Sequence, residues 1–378
     1  MNNISNVKSC FGCGVCTLAC GKKIIDIKLD KHGFYTPYII DPSKCTNCGL
    51  CREVCSFCHT DIQSKEKPKI SLGGWSKEES IREKCSSGGI GFEISCNAIK
   101  KGYKVIAVRY NATEKRAEHY LAETVEELMP SIGSKYIQSY TLNGFKTINR
   151  KEKYLLIGTP CQIDSFRRYI QKFRCEDNFI LIDFFCHGVP SKWIWDKYLN
   201  EIRKKLGNVN HVDWRNKQHG WHDSWNLVLK GEKGKCITSR WTRGDTFYQM
   251  FLGNQCLGKA CYQHCKFKYN KSSADIRIGD MWGKTFANEE KGVTACIVYT
   301  DKGINILQDT KCNYKEYPFE TVAEGQIQKK LKFPLGWSLI ISLAKSTMIS
   351  MNVLVFINKI IRKINIATNG SKLPKLAY

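Results

Sequence analysis

The stretch CFGCGVCTLAC, residues 10–20, places four cysteines in eleven positions, and CTNCGLCREVC, residues 45–55, repeats the spacing. Both read C-x2-C-x2-C-x3-C. Thiolates are soft ligands that suit iron–sulfur clusters or zinc. Three thiolates at i, i+3 and i+6 wrap one corner of a cubane of iron and sulfide, while the fourth lies too far round and reaches a second cubane. The spacing therefore assigns Cys10, Cys13, Cys16 and Cys55 to one [4Fe–4S] cluster and Cys20, Cys45, Cys48 and Cys51 to another. Zinc is the rival metal, but zinc sites usually use two thiol pairs separated by a longer loop. Cys58 makes a further C-x2-C with Cys55, so either thiol could be the ligand; Cys55 is the one that keeps the repeat.

The chain has 378 residues and 20 cysteines. A disulfide framework belongs to short exported chains, and the opening MNNISNVKSC has no apolar core of a secretory signal. The expectation is a cytoplasmic protein whose clustered thiols hold metal. Cys85, Cys96, Cys175, Cys236, Cys296 and Cys312 have no partner at metal spacing and read as structural. The formal net charge is +24. A 2+ cubane core on four thiolates carries about −2, so three of them leave roughly +18. A chain this basic suits an acidic protein, an anionic membrane or a phosphate-bearing substrate. It has no zinc-finger, helix-turn-helix or RNA-recognition signature, which argues against nucleic acid.

The elements that must position further chemistry follow in order. Residues 1–60 carry both cysteine runs, joined by KIIDIKLDKHGFYTPYIID, which turns at His32-Gly33 as a short hairpin. Residues 61–84 are charged and contain Pro and Gly-Gly, a linker pattern. Ser86, Ser87, Gly88 and Gly89 then open a helix-like stretch, followed by the strand KVIAVRY. Small residues at a helix N-terminus suit a phosphate, and an ordinary serine-capped helix explains them equally. A G-x-G-x-x-G fingerprint is missing, so a Rossmann reading fails. In KYLLIGTPCQIDSFRRYI an apolar strand runs into Gly158, Thr159, Pro160 and Cys161, and a helix follows. NFILIDFFCHGVPSKWIWDKYL repeats that layout around Cys186, His187 and Gly188. Both cysteines fall at strand ends, where α/β sheets present their sites. Further on come Cys256, Cys261 and Cys265, another strand, and Asp280 and Trp282. His187 could donate a proton or be a fixed structural histidine. Asp280 and Trp282 could line a site or sit in a turn, and the aromatics of WHDSWNLVL and RWTRGDTFYQM could cover a ring-shaped ligand or fill a core.

Residues 1–60 resemble a bacterial-type two-cluster ferredoxin, although Gly21 and Ser56 stand where that family usually has proline. Behind them, SSGG, GTPCQ, DFFCHGVPS and ADIRIGDMWG in this order resemble the coenzyme F-420 hydrogenase/dehydrogenase β-subunit family over roughly residues 1–300. The resemblance implies a ferredoxin-type domain (1–60), a linker (61–84) and a non-Rossmann α/β body (85–325) with a β-rich middle. It also implies FAD or FMN, for which Ser86 to Gly89, Gly158 and Thr159 are the candidate positions, and a third [4Fe–4S] cluster. Cys161 and Cys186 fall on the family's cysteine positions. Cys261 and Cys265 fall near its C-x2-C pair but at C-x3-C spacing, with Cys256 as the alternative and zinc as the alternative metal.

The function these readings imply is an iron–sulfur flavoprotein oxidoreductase. It would pass electrons from a ferredoxin or other redox protein to a small-molecule or glycan-precursor substrate, as in cell-surface polysaccharide synthesis. The alternative is a non-enzymatic electron-transfer subunit that serves a partner enzyme. The tail, 326–378, has nine lysines and arginines and no acidic residue. Its uncharged run is too short to span a bilayer. It reads as a helix packed on the body, or as a basic amphipathic helix in peripheral contact with the inner membrane surface.

Overall fold

The computed structural model describes residues 2–64 and 67–369. In the N-terminal part, α1 (Val15–Ala19) overlaps the first cysteine run and α2 (Leu50–Glu53) the second. The expected hairpin, β1 (Ile25–Leu29) and β2 (Tyr35–Ile39), lies between them, with Ile25 opposite Ile39 and Leu29 opposite Tyr35. Asp30 shapes its tip: one carboxylate oxygen accepts the N–H groups of His32 at 2.9 Å and Phe34 at 3.0 Å.

The body is built on a nine-stranded mixed sheet. Its strands are β3 (Ile70–Ser76), β4 (Lys104–Asn111), β5 (Arg116–Ala122), β6 (Ser139–Tyr140), β7 (Tyr154–Ile157), β8 (Phe179–Phe184), β12 (Ile276–Asp280), β13 (Thr294–Val298) and β14 (Cys312–Glu316). Their spatial order is β14-β3-β13-β12-β8-β7-β4-β5-β6. The centre, from β4 through β7 and β8 to β12, is parallel. Its strands are near-continuous apolar runs, YLLI and FILIDF, as strands covered on both faces must be. Tyr154, Leu155, Leu156, Phe179, Leu181 and Ile182 are all fully buried. A separate antiparallel sheet of β9 (His211–Asp213), β10 (Asn226–Lys230) and β11 (Cys236–Arg240) forms the β-rich part of the middle.

The helices of the body are α3 (Glu79–Lys84), α4 (Ile90–Lys100), α5 (Val125–Leu128), α6 (Leu142–Phe145), α7 (Pro160–Lys172), α8 (Lys192–Leu206), α9 (Thr246–Phe251), α10 (Lys259–Gln263), α11 (Asp301–Leu307) and α12 (Phe319–Val322). The architecture is thus the expected α/β body behind a ferredoxin-type domain. The linker expectation for 61–84 is corrected from residue 70 onward. Strand β3 lies inside the sheet between β14 and β13, and α3 follows it. Its Gly-Gly is a packing feature, because a Cβ on Gly74 would stand 2.4 Å from the Asn313 carbonyl oxygen.

The two parts are clasped together. The Ser191 hydroxyl donates to the His32 carbonyl at 2.6 Å, and the Lys192 N–H donates to the Gly33 carbonyl at 2.9 Å. The hairpin tip therefore rests on the start of α8. The tail forms α13 (Trp337–Lys345) and α14 (Met351–Asn369), and both pack on α8. Trp337 stacks on Phe34 with ring centroids 6.4 Å apart, and its indole N–H donates to Leu257 at 2.8 Å. The expectation of a helix packed on the body thus holds for the inner face of the tail; residues 370–378 lie outside the described residues.

At the sheet's centre Arg277 on β12 meets Asp183 on β8 in a two-pronged ion pair, with both contacts at 2.7 Å and both side chains fully buried. Removing one partner leaves a buried charge uncompensated. Arg277→Met is expected to lower stability by about 3–5 kcal/mol, read from urea unfolding. Asp183→Leu combined with Arg277→Met is expected to recover most of that loss.

Candidate functional site

The eight thiols of the two runs line two cavities, each with three from one run and one from the other. Cys10, Cys13, Cys16 and Cys55 line a narrow cavity walled by Ile4, Val7, Phe11, Pro37 and Phe57. Cys20, Cys45, Cys48 and Cys51 line a second one of about 250 Å³. The runs achieve this by the same local device. Gly14 and Gly49 each follow the second cysteine of a run and start α1 and α2 with φ of 74° and 82°, a conformation that glycine adopts at no steric cost. Cys58 lines neither cavity. Its hydrogen bond to Cys55 brings its pKa down to about 7 against the opposing effect of burial, with help from Arg52.

A third group forms at the carboxyl ends of the central strands. Cys161 sits in the first turn of α7, after β7. That turn is fixed by Pro160 at its start and by a capping box between Thr159 and Gln162. Cys186 follows the neighbouring strand β8, which pairs with β7 in parallel register, Ile157 opposite Ile182. Cys261 lies in α10 and Cys265 just beyond it. The α10 loop is held against the β8–α8 loop by the Gly258 N–H on Val189 at 3.0 Å and the Ser191 N–H on Cys256 at 2.8 Å.

The four thiols act on one another electrostatically. Burial is the main reason the pKa values of Cys161, Cys186 and Cys261 are pushed up. Cys186 and Cys261 add to the rise at Cys161, Cys265 adds to it at Cys186, and Cys186 and Cys265 add to it at Cys261. The Lys268 ammonium opposes the rise at Cys186 and Cys261. It is held in place by the Cys186 and His187 carbonyls at 2.5 and 3.0 Å. Cys256 stands apart: its thiol donates to the Met250 carbonyl at 3.4 Å, and burial alone raises its pKa.

The three groups are arranged in series. Cys51 of the second group acts on Cys16 of the first, and Cys13 of the first acts on Cys161 of the third. Ser165, one turn along α7 from Cys161, hydrogen-bonds Cys13. Among the described residues no three His, Cys, Asp or Glu side chains gather tightly enough for a single ion. A cubane is a cage of metal and sulfide and holds its four ligands at separate corners, and four thiols per group are the donor set it takes.

The positions expected to hold a flavin are engaged otherwise. The Ser87 hydroxyl donates to the Val293 carbonyl at 2.6 Å, and the Ser86 hydroxyl accepts the Ser134 N–H at 2.8 Å. A Cβ on Gly88 would stand 2.3 Å from the Gly74 carbonyl oxygen, so this glycine serves close packing. Thr159 caps α7, and Gly158 lies against the Gln162 side chain. The side chains of Ser86, Ser87 and Thr159 are thus engaged within the chain.

Other candidates resolve into structure. Desolvation of the half-buried His187 lowers its pKa to about 4, and its Nε2 meets Asn254 Oδ1 at 2.6 Å. Asp280 pairs with the fully buried Arg215 at 3.1 Å and accepts the Trp221 indole N–H at 2.9 Å. Trp221 and Trp282 stack at 4.8 Å, so these aromatics are core. Lys268 and Ser165 were not singled out from sequence. The signal for Lys268 was its place three residues after Cys265, and for Ser165 its place one helical turn after Cys161.

Residues 71–145 match the family model "Coenzyme F420 hydrogenase/dehydrogenase, beta subunit N-term", and residues 151–317 match the companion model for the C terminus. The chain belongs to this family. Residues 9–58 match the 4Fe-4S dicluster domain model, which supports iron–sulfur clusters in the family member described here. Among solved structures, the chain is similar to one from the F420-reducing [NiFe] hydrogenase complex of Methanosarcina barkeri, determined as a xenon derivative. The two share 16% identity with a TM-score of 0.46, over 82% of this chain and 97% of that one. No curated protein matches by sequence.

The cavity linings separate Cys55 from Cys58. Cys58→Ala is expected to keep the iron of the parent protein, and Cys55→Ala to lose about four iron atoms, by iron and acid-labile sulfide assays. Equal losses would put Cys58 in the ligand set.

Proposed function

We propose that this protein is an iron–sulfur electron-transfer member of its family, receiving electrons at an exposed ferredoxin-type face and delivering them at the strand ends of its body. The observation that carries the proposal is the series of three four-thiol groups. On this proposal Cys10, Cys13, Cys16 and Cys55 hold one [4Fe–4S] cluster; Cys20, Cys45, Cys48 and Cys51 a second; and Cys161, Cys186, Cys261 and Cys265 a third. When bound, such a cluster takes up and gives back one electron at a time.

The chain's own residues set direction and access. Cys48 is exposed, whereas Cys13, Cys16, Cys51 and Cys55 are buried. The second group is therefore the one a redox partner reaches first. The exposed Lys22 and Lys23 beside it favour an acidic partner, since complementary charge steers docking and speeds encounter. Phe11 and Phe57, edge to face at 5.6 Å, give the first group's cavity an apolar wall, and Phe267 backs Phe11 at 5.9 Å. Lys268 balances thiolate charge at the third group.

The cavity beside the third group, formed by Cys186, His187, Lys268 and Gln326 among others, measures about 40 Å³. Small-molecule pockets run from roughly 300 Å³ upward. The electron-transfer reading rests on the thiol groups, and a subunit that serves a partner enzyme is the form of it that needs no substrate pocket in this chain. FAD or FMN, and a small-molecule or glycan-precursor acceptor, belong to the resemblance, and no side chain of this structure is assigned to them.

Anaerobic purification with metal, sulfide and flavin analysis tests the proposal. The expected result is about twelve iron atoms per chain with matching sulfide. Cys161→Ala is expected to lose about four of them while the protein still accepts electrons at its N-terminal part. Zinc without sulfide would overturn the cluster assignment, and stoichiometric flavin with intrinsic turnover of an organic substrate would overturn the subunit reading.

A further inference from the structure

Helices α13 and α14 are fastened to the body by one face. Lys197 on α8 donates to the carbonyls of Ser346 and Ile349, each at 2.5 Å, and Glu201 accepts the Met351 N–H. Trp337, Ile340, Ile341, Met351, Leu354 and Val355 are buried beneath them. The opposite face is also apolar. Eight of the ten exposed large apolar side chains among the described residues fall between Phe333 and Ile364. On α14, Val353, Phe356, Ile360 and Ile364 recur at intervals of three and four, which puts them on one stripe. Phe356 is 63% exposed, and Met348 in the turn between the helices is 92% exposed. A surface helix normally carries one apolar face. Here there are two, and the body covers only one.

Charge selects what covers the other. From residue 325 to the end the sequence has nine lysines and arginines and no acidic residue. Lys345, Lys359 and Lys363 are exposed around the stripe. A second copy of this chain would bring its own net charge of +24 to the contact and be repelled. An anionic bilayer surface offers negative headgroups for the lysines and an apolar layer for the stripe at the same depth. Among the described residues no helix is long and apolar enough to cross a membrane, so the element lies on the surface.

We propose that α13 and α14 form an interfacial anchor that seats the protein on an anionic lipid bilayer through Val353, Phe356, Ile360 and Ile364, with Lys359 and Lys363 on the headgroups. The anchor is independent of the redox reading. It sets where the protein works.

Flotation of the full chain with vesicles tests the anchor. The parent is expected to float with vesicles of equal parts phosphatidylcholine and phosphatidylglycerol, and to stay in the dense fraction with phosphatidylcholine alone. Phe356→Ser with Ile360→Ser is expected to lower partitioning about tenfold or more, and Lys359→Glu with Lys363→Glu to lower it similarly. Both double variants should keep the parent's circular dichroism and iron content, since the altered side chains are exposed. A parent that floats with neither vesicle overturns the anchor, as does binding that both variants leave unchanged. Equal flotation with both vesicle types overturns the anionic-lipid assignment. A parent dimer that Phe356→Ser with Ile360→Ser makes monomeric, without flotation, gives the face to a second copy instead.

Discussion

The buried carboxylate of Asp164, on α7, accepts the Gln63 N–H at 2.7 Å, the Ser273 hydroxyl at 2.5 Å and Arg168 Nε at 3.1 Å. Its neighbour Ser165 accepts the Ser56 N–H at 3.0 Å, and Arg168 reaches the Asp61 carbonyl at 2.9 Å. A buried charge must keep its partners or lose several kcal/mol. The segment that leaves the ferredoxin-type domain therefore cannot lift away from α7 without stranding Asp164 and Arg168. Because Cys161 opens the same helix and Ser165 bonds Cys13, this network fixes the first thiol group against the third. The series of groups depends on one helix held from both sides.

Burial has a second consequence for the thiols. Cys10 is pushed up to about 12 and Cys261 to about 12, in each case chiefly by desolvation, with neighbouring thiols adding to it. Without metal such groups are protonated at neutral pH, and ligation requires them to be thiolates. Loading therefore releases protons and is coupled to the packing around each group. The surplus of positive charge in the chain has a local counterpart in Lys266 and Lys268. Lys266 is bound by the carbonyls of Ser56, His59 and Asp61 at 2.5–2.9 Å, so it also helps to close the joint between the domains.

Much of this was legible because it is local. The two cysteine runs state their own crossed pairing, and the strand–loop–helix pattern that repeats around Cys161 and Cys186 reveals two adjacent strand ends. Strand β3 was not legible. Its partners β13 and β14 lie more than 200 residues further on, and its glycines, which read as a loop, answer to contacts with Met281 and Asn313 that no local pattern reveals. The small residues of the Ser86 to Gly89 run likewise fit against distant segments, Gly88 against Gly74 and Ser87 against Val293, contacts that no local pattern reveals. Lys268 escaped notice because a lysine three residues after a cysteine is unremarkable until the Cys186 loop folds over it. The tail was legible as two alternatives, and both faces of α14 turn out to be apolar.

Anomalous diffraction from crystals grown without oxygen tests the central claim most directly. At the iron edge, three separate peaks are predicted: in the cavity of Cys10, Cys13, Cys16 and Cys55; in that of Cys20, Cys45, Cys48 and Cys51; and among Cys161, Cys186, Cys261 and Cys265, with the first between the other two. Peaks at the zinc edge instead, or thiols at Cys161 and Cys186 with no metal between them, would contradict the account.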